Sequence, residues 1–320
     1  MHLAEVRSNI RNSKLPKNMK MMRYALKHHW QLYILLILPL VWVVIFRYLP
    51  MYGLQIAFKD YMMRLGYSGS PWADPINKYF KLFTDSYYFP RLMKNTISIS
   101  FYSILAGFFP PIILAVMLNE CRLRWLKKSV QMITYAPHFL STVVVVSILT
   151  QVLSLNGLVN TMFNRLNMDS ISFLSEASYF KPIYVLSGIW QSVGYNSIIY
   201  IAALSGISSE LHEAAKVDGA NIWLRIWHVD ISGIMPTAII MLILSTASIL
   251  NVGFEKVYLM QNPLNMQTSD VISTYTYRMG LVDMNYSLAT AIGLFQSTIS
   301  ISFMIVVNRI SKRVSEVSLW

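Results

Sequence analysis

The chain has 320 residues, enough for two soluble domains, but its composition excludes an ordinary soluble protein. Apolar residues make up 55% of the chain and charged residues only 13%, whereas a soluble domain has about 45–50% and about 25%. The 27 Lys and Arg outnumber the 15 Asp and Glu, and in an apolar chain this excess is typical of loops beside membrane spans rather than of nucleic-acid binding. The single cysteine, Cys121, cannot form a disulfide within the chain.

The chain begins with a basic segment, residues 1–29, which carries seven Lys or Arg and one acid, Glu5. An apolar run, Trp30–Leu49, follows it. The run has about twenty residues, longer than the apolar part of a signal peptide, and no small-residue cleavage site follows. We therefore predict a cytoplasmic tail and a retained first span.

Five further apolar stretches reach the roughly 20 residues that cross about 30 Å of hydrocarbon. Sixteen Lys and Arg fall on the amino-terminal side of these spans and nine on the other side. Because basic residues concentrate in cytoplasmic loops, both termini are predicted to be cytoplasmic. The sequence thus predicts an all-α, polytopic membrane protein with six transmembrane helices, at Trp30–Leu49, Thr96–Asn119, Met132–Leu153, Ile183–Leu204, Ile234–Val252 and Leu288–Val307.

These spans define a predicted transmembrane domain over residues 30–308, followed by a cytoplasmic tail at 309–320. An external loop is expected at 50–93, and a cytoplasmic loop at 206–234. Several polar residues lie in the spans, and Pro110-Pro111 is expected to interrupt the second. This indicates a bundle with a polar interior, which either forms a pathway or supplies hydrogen bonds between helices.

The cytoplasmic loop from Ser208 to Pro236 predicts two short helices joined by a turn. Ser208 or Ser209 can cap the first helix, and Asp218-Gly219 can end it. The second helix is expected from Asn221 to Val229, with its Ile and Trp residues suited to a membrane interface.

The same loop resembles the EAA loop of binding-protein-dependent ABC importer permeases. The resemblance is carried by Glu213-Ala214-Ala215, Asp218-Gly219-Ala220, Ile226 and Pro236. In that family the loop forms a coupling helix that docks into a groove on the cytoplasmic ATPase. The resemblance therefore implies that Glu213, Ala214, Ala215, Asp218, Gly219 and Ala220 couple this chain to an ATPase.

Other segments are similar to the oligosaccharide subgroup of maltose-type permeases, and within it to permeases for complex plant or algal saccharides. They include Tyr48–Tyr61, Thr134–His138 and Ile249–Glu255. The resemblance implies a MetI/MalF-like bundle in a bacterial cytoplasmic (inner) membrane. It also implies a second permease, forming a heterodimer or homodimer, two copies of an ABC ATPase, and an external sugar-binding protein. A uronate-containing cargo is one possibility that the sequence leaves open.

Three other classes of function compete with this interpretation. An enzyme is disfavoured because the histidines show no metal-ligand spacing, and we expect no metal site. None of the thirteen glycines is followed by lysine, so the chain has no Walker A loop and ATP with Mg²⁺ should bind the partner ATPase. An ion-coupled carrier would bury ionisable residues in its spans, and only Arg47, Glu255 and Lys256 lie near span ends. An ABC permease for a peptide or phosphonate remains open.

A sugar path needs aromatic faces for the ring and polar groups for the hydroxyls. Gln191, Tyr195 and Asn196 share a face of the fourth span because they are four and five residues apart. The predicted path residues are Trp190, Gln191, Tyr195, Asn196, Tyr200, Asn251, Glu255 and Asn285.

Overall fold

A computed structural model describes residues 28–247 and 249–315, and nearly all of these residues are helical. Within this part of the chain the only β-structure is an isolated antiparallel bridge between Lys59 and Trp72. The predicted all-α class is confirmed. Most of the tail predicted at 1–29, and the last five residues, lie outside the described part.

The chain divides into two compact units. Among the described residues, the first contains residues 28–56 and 61–70, and the second contains residues 57–60, 71–247 and 249–315. In the first unit, α1 (Trp30–Val43) is apolar on all sides and buries no residue, as expected for a helix surrounded by lipid.

The first span is longer than predicted. A π-helical turn, Val44–Tyr48, and a 3₁₀ segment, Leu49–Phe58, continue α1 without a break. The helical segment continues through Pro50, whose missing N–H leaves one carbonyl of the preceding turn without its usual helical donor. The helical segment therefore extends into the first part of the loop predicted at 50–93.

The rest of the first unit is a folded turn that contains α2 (Gly66–Gly69). Ser70 is only 3% exposed, and its hydroxyl donates to the Gly66 carbonyl at 2.7 Å. The hydroxyl also accepts from the Met62 N–H at 3.1 Å. The Tyr67 ring lies 5.6 Å from the Tyr52 ring, edge to face.

The second unit begins with a polar cluster beside its first residues. Lys78 Nζ lies 2.6 Å from Asp60 Oδ1, and the Tyr79 hydroxyl also donates to this carboxylate. The hydrogen bond from Lys78 lowers the pKa of Asp60 the most, and the hydrogen bond from Tyr79 lowers it further. Ser287, at the start of the last helix, donates to the Lys59 carbonyl at 2.6 Å.

Long helices build the remainder of this unit, and α4 and α8 make the most extensive packing. Two short π-helical segments, Ile76–Phe80 and Arg278–Val282, precede α3 and follow α14. The helices of the unit are α3 (Lys81–Thr84), α4 (Phe89–Glu120), α5 (Arg124–Tyr135), α6 (Thr142–Leu153), α7 (Leu158–Arg165), α8 (Ala177–Ser205), α9 (Ser209–Val217), α10 (Ile222–Arg225), α11 (Ser232–Ala247), α12 (Phe254–Met260), α13 (Met266–Ser269), α14 (Ile272–Tyr277) and α15 (Tyr286–Ser315).

Two further expectations about the helices are wrong. The Pro110-Pro111 pair does not interrupt the second span, because α4 continues through both prolines; surrounding helices can satisfy the carbonyls that proline leaves unpaired. The third span does not begin at Met132. The chain instead makes a 3₁₀ turn at Ala136–Phe139, and α6 starts after Ser141, whose hydroxyl caps it by accepting from Val144 N–H.

The last helix also extends beyond its predicted end. It continues to Ser315, into the segment predicted as a tail from residue 309. Five helices of the described chain are long and apolar enough to cross a membrane. The fourth predicted span lies in α8 and is less apolar, because its middle carries the polar residues Gln191, Ser192 and Asn196.

Three apolar clusters hold the second unit together. One joins Phe83 to Leu92 and Ile272 near the start of α4. A second joins Ile99, Phe180 and Val257 in the middle. The third joins α4, α8 and α11 at their other ends through Ala115, Val116, Tyr200, Leu204, Ile234 and Ala238. A space that is lined partly by polar side chains remains between the second and third clusters.

Candidate functional site

A cavity of about 370 Å³ lies between α4, α8, α11 and α12. This volume is within the roughly 300–1,000 Å³ of small-molecule sites. Aromatic and polar side chains share its wall, so the cavity can offer ring faces and hydrogen-bond partners to the same ligand. The polar and aromatic lining includes Ser103, Tyr184, Gln191, Asn196, Tyr200 and Lys256.

The structure brings together three of the eight path residues predicted from the sequence. Gln191, Asn196 and Tyr200 line the cavity. Trp190 and Tyr195 are on the same helix but do not line it. The Tyr195 ring instead stacks on His138, with the centroids 3.9 Å apart and the planes 4° apart.

The other three predicted path residues lie elsewhere. Asn251 lines a smaller cavity of about 120 Å³ that shares Ser103 and Tyr184 with the larger one. Glu255 is exposed and lines neither cavity. Asn285 caps the last helix, since its Oδ1 accepts from Leu288 N–H at 3.2 Å.

The most unusual residue of the cavity, Lys256, was not among the path residues predicted from the sequence. It is only 8% exposed, and its Nζ donates to the Tyr184 carbonyl at 3.0 Å. The same ammonium lies 4.8 Å from the centre of the Tyr184 ring, a distance at which the ring face attracts a cation. The sequence did contain one signal for this role, because Lys256 is a charged residue close to the end of a predicted span and the spans contain few other charged residues.

The position of α8 depends on a glycine. A Cβ at Gly194 would lie 2.1 Å from the Thr134 carbonyl oxygen at the end of α5. The two backbones can approach this closely only because Gly194 has no side chain. The close contact between α8 and α5 at Gly194 sets the position of Gln191 and Asn196 along the bundle axis.

Polar residues near the start of α4 connect helices and do not line the larger cavity. The Asn95 amide donates to the carbonyls of Gln267 and Asp270, at 2.9 and 3.0 Å, and the Thr96 hydroxyl accepts from Ile272 N–H at 3.0 Å. For these residues the structure favours hydrogen bonding between segments over a pathway.

The loop that resembles the EAA motif forms a capped helix, α9. The Ser208 hydroxyl accepts from Glu210 N–H at 3.2 Å, which satisfies one of the free amides of the first turn. The helix ends where Gly219 adopts a φ of +78°, and Ala220 N–H returns to the Ala215 carbonyl at 2.9 Å. The left-handed stop predicted at Gly219 is confirmed.

The outer face of α9 has no cover within the described chain. Glu213 and Ala214 are exposed, and Val217 is 87% exposed. Leu211 is also largely exposed. Exposed apolar patches often mark sites of contact with another protein. This face of α9 is therefore suited to such a contact.

The second short helix predicted in this loop is not a separate element. Asn221 begins α10, where its Oδ1 accepts from Leu224 N–H at 2.9 Å. The helix then passes through a π segment, Ile226–Ile231, directly into α11. The loop after Gly219 therefore connects rigidly to the fifth span.

A buried carboxylate links α9 to this continuous helix. Asp230 is fully buried, and neither of its oxygens has a hydrogen-bond partner among the residues that the structure describes. His212 Nε2, on α9, lies 3.5 Å from Asp230 Oδ1. This pair is a polar connection between the candidate docking helix and the fifth span.

The profile of the family described as binding-protein-dependent transport system inner membrane component matches residues 93–316. The chain belongs to this family. The prediction of a non-enzymatic, membrane-embedded ABC importer permease is thereby confirmed.

Relatives with similar sequences extend over nearly the whole chain. Protein LplB of Bacillus subtilis (strain 168) is 41% identical over 297 residues, covering 92% of this chain and 93% of that protein. The polygalacturonan/rhamnogalacturonan transport system permease protein YteP of the same organism is 37% identical, and the match covers all of both chains.

The fold is also similar to that of a solved transporter. A bacterial ABC transporter involved in the import of the acidic polysaccharide alginate contains a chain that is 38% identical, with a TM-score of 0.83, covering 92% of this chain and 99% of that one. A second structure shows this transporter in complex with an alginate pentasaccharide-bound periplasmic protein. The MetI/MalF-like permease bundle predicted from the sequence is confirmed.

Proposed function

We propose that this chain is the transmembrane permease subunit of an ATP-driven, binding-protein-dependent importer for oligosaccharides, and that it forms half of the translocation path. The observation that carries the proposal is the cavity between α4, α8, α11 and α12, which lies inside a family permease bundle. Gln191 and Asn196 supply amide groups to sugar hydroxyls, and Tyr200 supplies a ring face.

The cargo proposed is an oligosaccharide that contains uronic acids. YteP is named for polygalacturonan and rhamnogalacturonan transport, and the solved relative imports alginate. Both polygalacturonan and alginate carry a carboxylate on their sugar residues. The similarity of this chain to both relatives, at 37% and 38% identity over nearly its full length, supports the same class of cargo.

The coupling helix is α9. Its exposed face, with Glu213 and Ala214, docks on the ATPase, and the small side chains of Ala214 and Ala215 permit a close approach. Asp218, Gly219 and Ala220 form the turn that joins this helix to the fifth span. ATP and Mg²⁺ bind the ATPase chain, and this chain binds no cofactor.

The proposed assembly contains a second, related permease, two copies of the ATPase and an external sugar-binding protein. The structure of the alginate transporter with its periplasmic protein supports the last of these partners. A second permease, in a heterodimer or a homodimer, is proposed because a polar face of the bundle would otherwise contact lipid, where unsatisfied polar groups are costly.

Transport by the purified assembly tests this function. The transporter is isolated through a tag on this chain, reconstituted in vesicles with MgATP inside, and supplied with its binding protein and labelled trigalacturonate outside. We expect uptake that requires ATP. Uptake driven by an ion gradient without ATP would show a secondary carrier, and uptake of peptide or phosphonate alone would show another cargo.

The proposed topology places both termini in the cytoplasm and the turn around α2 outside. In a Cys121→Ser background, Ser68→Cys should react with a membrane-impermeant thiol reagent in intact cells, because Ser68 is exposed. Ser13→Cys should not react until the membrane is opened. Ser70 is unsuitable as a labelling position because it is buried. The reverse labelling pattern would contradict the topology.

A further inference from the structure

Lys256 places a positive charge in the wall of the larger cavity. Its side chain reaches the cavity from α12, and it lines the space together with neutral polar residues of α4, α8 and α11. No carboxylate among the described residues lies within ion-pair distance of its ammonium. Glu255, which directly precedes Lys256 in the sequence, has an exposed carboxylate and does not line the cavity.

A buried ammonium without a counter-ion is costly, since the loss of hydration is not offset by a paired charge. Lys256 makes one hydrogen bond within the described chain, to the Tyr184 carbonyl. An ammonium has three donors, so a ligand in the cavity can accept from the others. A neutral amide could satisfy the Tyr184 carbonyl equally well, so that carbonyl alone does not explain a charge at this position.

The surroundings keep the ammonium available to a ligand. Gly188 contributes no side chain to the wall, and a Cβ added there would lie 3.5 Å from Lys256 Nζ. The centre of the Tyr184 ring lies 4.8 Å from the ammonium and attracts it by a cation–π interaction. The cavity thus presents a positioned cation close to the amides and rings that suit a sugar.

We infer that Lys256 contacts the cargo during translocation and selects saccharides that carry a carboxylate over neutral saccharides of the same shape. The inference rests on the proposed function, and it identifies the residue that would recognise the acidic class of cargo. Lysine acts here as a point charge, which suits a path where successive sugar residues must bind and leave. Intramembrane ionisable residues commonly mark such paths.

The test compares two cargoes that differ only in charge. Uptake of trigalacturonate and of its isosteric carboxamide is measured in vesicles with the complete transporter, at concentrations that saturate the binding protein. Wild-type transporter should prefer the acid. Lys256→Gln, which keeps a donor for the Tyr184 carbonyl, should lower the acid-to-amide ratio of uptake rates about tenfold, the effect of one charged hydrogen bond. Lys256→Arg should restore most of the preference.

Lys181 provides a matched control. Its Nζ donates to the Ser98 hydroxyl at 2.7 Å, and it borders a different cavity. Lys181→Gln removes the same charge from a nearby helix and should leave the acid-to-amide ratio unchanged. An unchanged ratio in Lys256→Gln, or an equal fall in both variants, would overturn the inference.

A second variant covers the case in which Lys256→Gln does not assemble. Ser192 lines the cavity one turn after Gly188, so Ser192→Asp places a carboxylate near an unaltered Lys256. It should lower the acid-to-amide ratio, and an unchanged ratio would count against the inference. Failure of the wild-type transporter to take up trigalacturonate would instead reject the proposed acidic cargo.

Discussion

The proposed coupling loop and the cavity between α4, α8, α11 and α12 differ in how their residues are distributed along the chain. The loop is formed by consecutive residues from Ser208 to Pro236, and local interactions such as the Ser208 cap and the Gly219 turn determine its shape. The cavity takes residues from Ser103 to Lys256 on four helices. Short-range sequence rules therefore describe the first region much better than the second.

The two regions also differ in burial. The proposed coupling helix, α9, has exposed side chains such as Glu213 and Ala214, whereas the cavity depends on closely packed helices, as at Gly194. A substitution in the loop should mainly change contact with a partner. A substitution beside the cavity should change the packing of the permease itself.

The largest effect is expected at Gly194. A side chain there would meet the Thr134 carbonyl, since even a Cβ would lie 2.1 Å from its oxygen. Overpacking usually costs about 1–3 kcal/mol, and a rigid backbone group cannot move aside easily. Gly194→Leu should greatly reduce the amount of assembled transporter, measured by size-exclusion chromatography of detergent extracts.

Gly293→Ala is the matched control on another long helix. Nothing lies within 4 Å of a Cβ at this position, and alanine favours a helix over glycine by about 1 kcal/mol. Assembly of this variant should equal that of the wild type. If Gly194→Leu assembled as well as Gly293→Ala, the close crossing of α8 and α5 would not be needed for the permease.

Much of the fold follows from the sequence because membrane spans have a strong apolar signal. Five of the six predicted spans correspond to helices that meet the length and apolarity of a span, and the weaker fourth lies within α8. The capped helix α9 and its glycine stop were also predictable, because caps and left-handed glycines depend on neighbouring residues.

The cavity was predictable only in part, because its lining depends on how distant helices rotate and cross. Gln191, Tyr195 and Asn196 satisfy the same spacing rule, but Tyr195 turns to His138 instead of the cavity. Asn285 has a polar side chain that could suit a path, yet it caps α15. The role of Lys256 depends on its approach to Tyr184, which is 72 positions away.

The next effect concerns the turn after the coupling helix. Gly219→Val would place a β-branched residue at a φ of +78°, which such residues rarely adopt. Nothing lies within 4 Å of a Cβ there, so the penalty comes from the backbone alone. A cost of about 1–2 kcal/mol should lower binding-protein-stimulated ATP hydrolysis about tenfold in reconstituted vesicles.

The variant Gly219→Asn distinguishes the effect of backbone conformation at this turn from the effect of side-chain size. Asparagine tolerates the left-handed region, so this variant should retain most of the stimulated hydrolysis although it adds a larger polar side chain. Transporter assembly should be normal in both variants, because Gly219 is exposed. Equal hydrolysis in the valine and asparagine variants would show that the turn conformation does not matter for coupling.

The smallest effect is expected within the loop, at the pair of His212 and Asp230, which joins α9 to the helix that leads into the fifth span. His212→Ala leaves the Asp230 carboxylate buried without its nearby partner, and an unpaired buried charge is destabilising. Since His212 is partly exposed to water, the loss should be modest, about threefold in stimulated hydrolysis.

A double-mutant cycle shows whether this link is a true interaction. Replacing the carboxylate as well, in His212→Ala with Asp230→Ala, removes the unpaired charge. If the pair connects α9 to the fifth span, the double variant should hydrolyse ATP at least as fast as His212→Ala alone, with a coupling energy of about 0.5–3 kcal/mol. Additive losses would mean that the two residues act independently. The rigid path from the coupling helix would then run through the backbone at Gly219 and α10, without a contribution from the buried pair.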